Sequence, residues 1–145
     1  MSSSDESPVR QPPAPRKGPG PRWFGRLPQL EFEVEFYERV LSRDPDYVIV
    51  LRALGETLAR KGEYTRSAEI DRRLVSLLPR DGVARYNLAC SLAMQGAAPQ
   101  AIEELTRAIE YGYADFSHLE VDPDLDSLRT LPAYQALMRQ HGIQS

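Results

Sequence analysis

Cysteine and histidine are scarce in this chain of 145 residues, which contains one cysteine, Cys90, and two histidines, His118 and His141. A single cysteine excludes an internal disulfide and fits a reducing compartment. Neither histidine has a second ligand residue at a spacing typical of a metal site. Glycine-rich phosphate loops and nucleophile elbows are also missing. We therefore expect a protein that is not an enzyme and that holds no metal and no cofactor.

The chain also lacks long apolar runs. None approaches the ~18 residues that a membrane-spanning helix needs. The first residues include serine, aspartate, glutamate and proline, whereas a signal peptide would be apolar there. We expect no membrane association and a cytoplasmic location.

Proline is concentrated at one end, since six of the twelve prolines lie between positions 8 and 21. Such a polar, proline-rich segment buries too little apolar surface to offset the entropy of ordering it. We therefore predict a disordered basic tail over residues 1–26, which carry five basic and two acidic side chains. Its Pro12-Pro13-Ala14-Pro15-Arg16-Lys17 run matches a proline-rich ligand motif, although a soluble spacer explains it better.

Residues 27–145 carry thirteen basic and nineteen acidic side chains, so this part is mildly acidic. Such a balance does not favour nucleic-acid binding by the folded domain.

Two helix–turn–helix patterns follow one another at a spacing of 34 residues. Residues 86–112 combine an apolar helical stripe with small residues, and a Gln95-Gly96 turn divides them. The same residue types recur 34 positions earlier, where Leu54, Gly55, Leu58 and Gly62 match Leu88, Ala89, Leu92 and Gly96. A repeat of this length and content resembles the tetratricopeptide repeat (TPR). The resemblance implies an all-α fold, a short right-handed α-solenoid with a C-terminal capping helix.

The repeat spacing predicts the domain boundaries. We expect a half repeat at 28–45, complete repeats at 48–81 and 82–115, and a closing segment at 116–141. The complete repeats should contain helices at about 46–60 and 64–77, and then a second pair around Gly96. In the second helix of the first repeat, Asp71 stands where the family prefers an aromatic residue. The closing segment resembles the end of many bacterial TPR arrays, and it should cover the last repeat with Leu119, Leu125, Leu128, Tyr134, Leu137 and Met138.

Two stretches leave alternatives open. The LEFEVEF run at residues 30–36 alternates in the manner of a strand, but Leu30, Val34, Tyr37 and Leu41 also recur at helical spacing. The repeat register favours a helix, with Pro28 in its first turn. Trp23 and Phe24 either cap the open end of the solenoid or form an exposed anchor for a partner.

Asp122, Asp124 and Asp126 imitate the opening of a calcium loop. The match fails at Ser127, where a glycine is needed, and at Ala133, where a bidentate glutamate is needed. Carboxylates at helix starts explain the cluster better.

The resemblance also implies a binding surface, because the first helix of each repeat lines the concave groove in this family. We call these residues the first-helix face, and they are predicted to contact a partner: Ile49, Arg52, Glu56, Val83, Tyr86, Asn87, Cys90 and Met94. Arg52 and Asn87 match positions with which chaperone-binding members hold a peptide carboxylate, although Glu56 replaces an expected asparagine. We favour the other interpretation, in which Arg52, Glu56 and Arg60 form an ion-pair ladder along one helix.

The function implied by the resemblance is a non-enzymatic protein–protein interaction module, an adaptor or assembly factor. Its partner would be another protein that contributes an extended or helical segment. One alternative is a structural subunit that self-associates into a homo-oligomer. Another is weak binding of acidic surfaces or nucleic acid through the basic tail.

Overall fold

The computed structural model describes residues 22–143, and their side chains from residue 27 onward. Most of the predicted tail therefore lies outside the described residues, including the proline-rich motif. The side chains of Trp23 and Phe24 lie outside them as well, so both alternatives for this pair stay predictions.

The described residues form seven α-helices and one 3₁₀ helix. In order they are α1 (Arg22–Arg43), α2 (Val48–Arg60), α3 (Tyr64–Leu77), α4 (Gly82–Met94), α5 (Ala98–Glu110), α6 (Phe116–Val121), the 3₁₀ helix (Pro123–Leu128) and α7 (Pro132–Gln140). Consecutive helices from α1 to α5 pack against one another, and the 3₁₀ helix returns to α4. The prediction of an all-α fold built from successive helix pairs is confirmed.

Helix α1 settles the choice between strand and helix at residues 30–37 in favour of the helix. Leu30, Val34 and Leu41 are buried on one side, as the helical spacing predicts, whereas Phe32 and Phe36 point to solvent. The position predicted for Pro28 is wrong, because the helix begins at Arg22 and Pro28 lies inside it. Residues 22–26, which the predicted tail includes, therefore belong to α1.

The same turn closes α2, α4 and α5. Gly62, Gly96 and Gly112 all have a positive φ, a conformation that residues with a side chain rarely adopt. The following residue donates its amide to a carbonyl five positions back, over 2.9 Å in each case. These bonds are those of a Schellman motif, which satisfies carbonyls at a helix end. The turns at Gly62 and Gly96 are 34 residues apart, so the period found in the sequence includes this backbone turn.

The closing segment, residues 116–141, packs against α4 and α5. All six side chains that were expected to cover the last repeat are buried: Leu119, Leu125, Leu128, Tyr134, Leu137 and Met138. Arg129, which the sequence analysis did not single out, holds the segment together. Its guanidinium donates to the carbonyls of Asp122 at 2.7 Å and Leu119 at 3.2 Å, and to the Tyr134 hydroxyl at 2.9 Å.

Within residues 22–143, no helix combines the length and the apolar composition required to cross a membrane.

Candidate functional site

The first-helix face keeps part of its predicted apolar surface open to solvent. Ile49 on α2 is 71% exposed, and Val83 and Met94 on α4 are exposed as well. Val83, Asn87, Cys90 and Met94 recur at intervals of three and four residues, so they form one stripe along α4. The Asn87 side chain is half-buried and makes no hydrogen bond within the described part of the chain. Val83 and Met94 are therefore accessible at the two ends of this stripe.

Tyr86 and Cys90, which were predicted to contact a partner, are instead almost fully buried. The closing segment folds over them. The Tyr86 hydroxyl donates to Asp122 Oδ2 at 2.6 Å, and the Cys90 thiol donates to the same oxygen at 3.6 Å. The Tyr86 ring also stacks on Tyr113 with 4.1 Å between ring centroids.

Burial sets the protonation state of both groups. It is the main cause that raises the pKa of the Tyr86 hydroxyl and of the Cys90 thiol, and the nearby Asp122 carboxylate adds to it. Both groups therefore stay protonated and act as hydrogen-bond donors. Cys90 is a thiol rather than a reactive thiolate.

The prediction of an ion-pair ladder along α2 is wrong. Arg52 donates to Asp81 Oδ2 at 2.7 Å, and Arg60 donates to Glu33 Oε1 at 3.3 Å, so neither pairs with Glu56. Arg52 thus reaches the residue that precedes α4, and Arg60 reaches α1 while it also donates to Thr57 of its own helix at 3.2 Å.

Asp81 links this contact to the start of α4. Its other carboxylate oxygen accepts from the amides of Val83 and Ala84, so it also caps the helix. Burial acts to raise the pKa of Asp81, but the bonds from Arg52 and these amides outweigh it and lower the pKa. Arg52 is thus bound to Asp81 and is not a free clamp for a peptide carboxylate.

A pocket of about 260 Å³ opens between α2, α4 and the closing segment. Its wall combines polar and small side chains from five elements: Gly55, Glu56, Ala59, Asp71, Tyr86, Asn87, Cys90, Ser91, His118, Asp122 and Asp124. Four of these residues carry a carboxyl group, and none is lysine or arginine. We call this the carboxylate pocket.

Asp71 forms the inner wall of the carboxylate pocket and is only 4% exposed. Its Oδ2 accepts a hydrogen bond from Ser91 at 3.3 Å, and Ser91 lies 2.5 Å from the Ser67 hydroxyl. Burial is the main cause that raises the pKa of Asp71 to about 7, and repulsion by Glu56 adds to it. The position where the family prefers an aromatic residue therefore holds a buried, titratable carboxyl group.

Gly55 makes room for this carboxyl group, because a Cβ at residue 55 would lie 2.4 Å from Asp71 Oδ1. In the 34-residue repeat Gly55 matches Ala89, which is also small. At Gly55 the small size leaves room for the carboxyl group of Asp71.

Cys90, Asp122 and Asp124 bring three ligand-type atoms within 4.8 Å of one another. Asp122 is already engaged, since His118 Nε2 lies 3.1 Å from its Oδ2 and the Asp124 amide donates to its Oδ1 at 3.0 Å. It also caps the 3₁₀ helix, which is the helix-start role expected from the sequence. Internal hydrogen bonds therefore account for this group.

Comparison with known proteins adds to this description. No family model matches the chain. It is 28% identical to a curated chloroplastic protein from Arabidopsis thaliana over 89 residues, which are 59% of this chain and 27% of that protein. The chain thus spans about a quarter of the length of this curated relative.

Two solved structures of the TPR protein MamA resemble the fold. MamA from residue 41 to its end, from Desulfovibrio magneticus RS-1, has a TM-score of 0.59 at 15% identity, over 83% of this chain and 72% of that one. The MamA RS-1 ArsTM double mutant also has a TM-score of 0.59, at 16% identity, over 81% of this chain and 70% of that one. At these identities the likeness concerns the fold alone. The chain has an all-α architecture of successive helix pairs, similar to that of MamA.

Proposed function

We propose that this chain is a non-enzymatic protein–protein interaction module and that a partner segment binds along the first-helix face. The observation that carries the proposal is that three apolar side chains of this face, Ile49, Val83 and Met94, stay exposed. Large apolar side chains grouped on one exposed surface are typical of binding sites. The similarity to the TPR fold supports the same conclusion.

Asn87 adds polar recognition within the stripe. A side-chain amide offers both donors and an acceptor, so it can pair with a peptide backbone in either direction. The structure does not support a carboxylate clamp, because Arg52 is held by Asp81 and Glu56 stands beside it. The partner therefore contributes an extended or helical internal segment. The buried thiol of Cys90 fits a reducing compartment, and we propose a cytoplasmic location.

Selection from a random peptide library on the immobilised full chain tests this proposal. We expect enriched peptides that bind the wild type and lose binding to an Ile49→Glu, Met94→Glu double variant. Leu77→Glu is the matched control, because Leu77 is an exposed apolar residue on the second helix α3. Peptides that bind the double variant as well as the wild type would place the site elsewhere, and a library without enrichment would contradict peptide binding.

Self-association is a second candidate function, and a separate observation on α1 supports it. Phe32 and Phe36 lie one helical turn apart on α1 and are 64% and 47% exposed. Two such phenylalanines form an apolar patch that a second copy can cover. Binding of acidic surfaces through residues 1–21 concerns a segment outside the described residues and stays a prediction.

A further inference from the structure

The carboxylate pocket lies midway along the stripe on α4. Asn87 and Cys90 line the pocket, and Val83 and Met94 stand one turn before and after them on the same face. A segment that contacts both exposed ends of the stripe therefore passes over the pocket.

The pocket concentrates negative charge without a compensating cation. Glu56, Asp71, Asp122 and Asp124 face it, and His118 is the one basic side chain in its wall. Arg52 lies near enough to lower the pKa of Asp71, but it donates to Asp81 instead. Burial and repulsion by Asp122 raise the pKa of Asp124. His118 acts in the opposite direction on the pKa of Asp124 but does not outweigh them.

A second, independent observation that points to a ligand concerns the hydrogen bonds of Asp71. It is almost fully buried, yet within the described residues its only hydrogen bond is the one that Ser91 donates to Oδ2. Oδ1 receives none, and it lies against Gly55, close to the position that a Cβ would occupy there. A buried carboxyl oxygen without a donor is unfavourable for the folded state. A donor supplied by a ligand would relieve this.

We propose that the carboxylate pocket binds the positively charged side chain, lysine or arginine, of the partner segment that lies on the first-helix face. The ammonium or guanidinium donates to Asp71 Oδ1 and to the carboxylates of Asp124 and Glu56 at the rim. This inference rests on the proposed function, and it specifies the chemistry of the partner. It is opposite in sign to the carboxylate clamp that Arg52 and Asn87 suggested.

The size of the pocket agrees with a single side chain. Pockets that hold drug-sized molecules measure roughly 300–1,000 Å³, whereas this one measures about 260 Å³. The flanking apolar residues would contact the neighbouring side chains of the same segment.

Nuclear magnetic resonance titration of the full chain with three capped tripeptides tests the proposal. The probes are Gly-Arg-Gly, Gly-Lys-Gly and the neutral control Gly-Gln-Gly, all in the presence of EDTA. We expect a basic peptide to shift the amide resonances of Gly55, Asn87 and Ser91, and the glutamine peptide to leave them unchanged. Charged hydrogen bonds imply that Asp71→Asn or Asp124→Asn raises the dissociation constant by about tenfold or more.

Glu69→Gln is the matched control, because Glu69 is an exposed carboxylate on α3 outside the pocket. It should leave the titration unchanged. Equal shifts with all three tripeptides, or unchanged affinity in both pocket variants, would overturn the proposal. Binding that occurs only when EDTA is replaced by a divalent metal would assign the pocket to an ion and also overturn it.

The chain's own N-terminal segment is a competitor for the pocket, since it is basic. An Arg10→Gln, Arg16→Gln, Lys17→Gln variant addresses this without any added peptide. Pocket resonances that match those of the wild type support an external partner. Resonances that move would make the tail the occupant and contradict the proposal.

The library selection separates this inference from the proposed function. Stripe-dependent peptides that keep their affinity after every lysine and arginine is changed to glutamine would refute the inference alone. A basic tripeptide that titrates the pocket, combined with no stripe-dependent peptide, would refute the proposed function alone.

Discussion

Asp71 is a carboxyl group in a position that favours its neutral form. Its pKa is raised from 3.8 to about 7, chiefly by burial. Between these two values the folded chain keeps a proton that the unfolded chain has lost. Stability associated with this group is therefore fully present below pH about 4 and declines as the pH rises toward about 7. At neutral pH the buried carboxyl group of Asp71 therefore lowers the stability of the folded chain. Groups with such shifted pKa values are common in binding sites.

We predict that Asp71→Asn stabilises the chain in a pH-dependent way. The amide has nearly the same shape and never becomes charged. The raised pKa corresponds to up to about 4 kcal/mol of added stability above pH 8 and to almost none near pH 4. Urea unfolding at the two pH values measures the difference. An equal effect at both would show that Asp71 is not protonated by burial, and Glu69→Gln should change neither.

The unusual position of Asp71 could be recognised from the sequence, but its burial and its contacts could not. The repeat register identified it as a departure from an aromatic position. Its proton affinity depends on Ser91 and Glu56, which belong to other helices, and spacing along one helix does not report such contacts.

Among the elements, the pair α4 and α5 shows how small residues set the packing. Ala101 on α5, one of the small residues between positions 86 and 112, is completely buried. A larger side chain there would have to displace the neighbouring helix.

We predict that Ala101→Arg unfolds the domain or nearly does so. Overpacking and a buried charge together remove several kcal/mol, which is about the whole margin of a small domain. A circular dichroism melt measures the loss. Gln100→Arg is the control, because Gln100 is the exposed preceding residue. A melt of Ala101→Arg that equals the wild type would refute the repeat register.

Arg129 adds hydrogen bonds to the apolar core of the closing segment. Arg129 bonds two backbone carbonyls and the Tyr134 hydroxyl, and all three lie in or next to this segment. Its sequence position gave no signal, because a lone arginine between short helices has many equivalent roles.

We predict that Arg129→Ala loosens the closing segment while the repeats stay folded. The loss leaves buried acceptors without a donor, at about 1–3 kcal/mol for each such group. Hydrogen exchange should accelerate in residues 116–128 and stay unchanged in α2 and α3. Arg139→Ala, on the exposed side of α7, is the control. Uniform acceleration throughout the chain would show that the closing segment and the repeats form one cooperative unit.

For the whole molecule, the exposed surfaces determine how copies and partners meet. The first-helix face and the α1 patch of Phe32 and Phe36 lie on different helices, so self-association and partner binding can be separated by mutation.

We predict that the α1 patch drives weak dimerisation. Burial of two phenylalanines contributes roughly 1.5–3 kcal/mol for each side chain. Size-exclusion chromatography with light scattering should therefore show a mass that rises with concentration. Phe32→Glu with Phe36→Glu should give a constant monomer mass, and Leu77→Glu should behave as the wild type. A wild-type chain that is monomeric at every concentration would contradict self-association.

The local structure of this protein could be predicted from its amino-acid sequence alone. Most helix limits, the three glycine turns and the period of 34 residues follow from contacts between residues only a few positions apart, and from the φ that glycine permits. The apolar residues of the closing segment were recognisable from the resemblance of this segment to the end of bacterial TPR arrays.

Which side chains meet depends instead on how the helices pack. Tyr86 and Asp122 are hydrogen-bonded across 36 residues, and Arg52 reaches Asp81 across 29 instead of the nearer Glu56. These contacts depend on where distant segments of the chain fold back. Each of them buries or neutralises a side chain that helical spacing alone predicted to be exposed on the first-helix face. The carboxylate pocket arises in this way, because α2, α3, α4 and the closing segment each contribute a carboxyl group or an edge to a space that no single helix encloses.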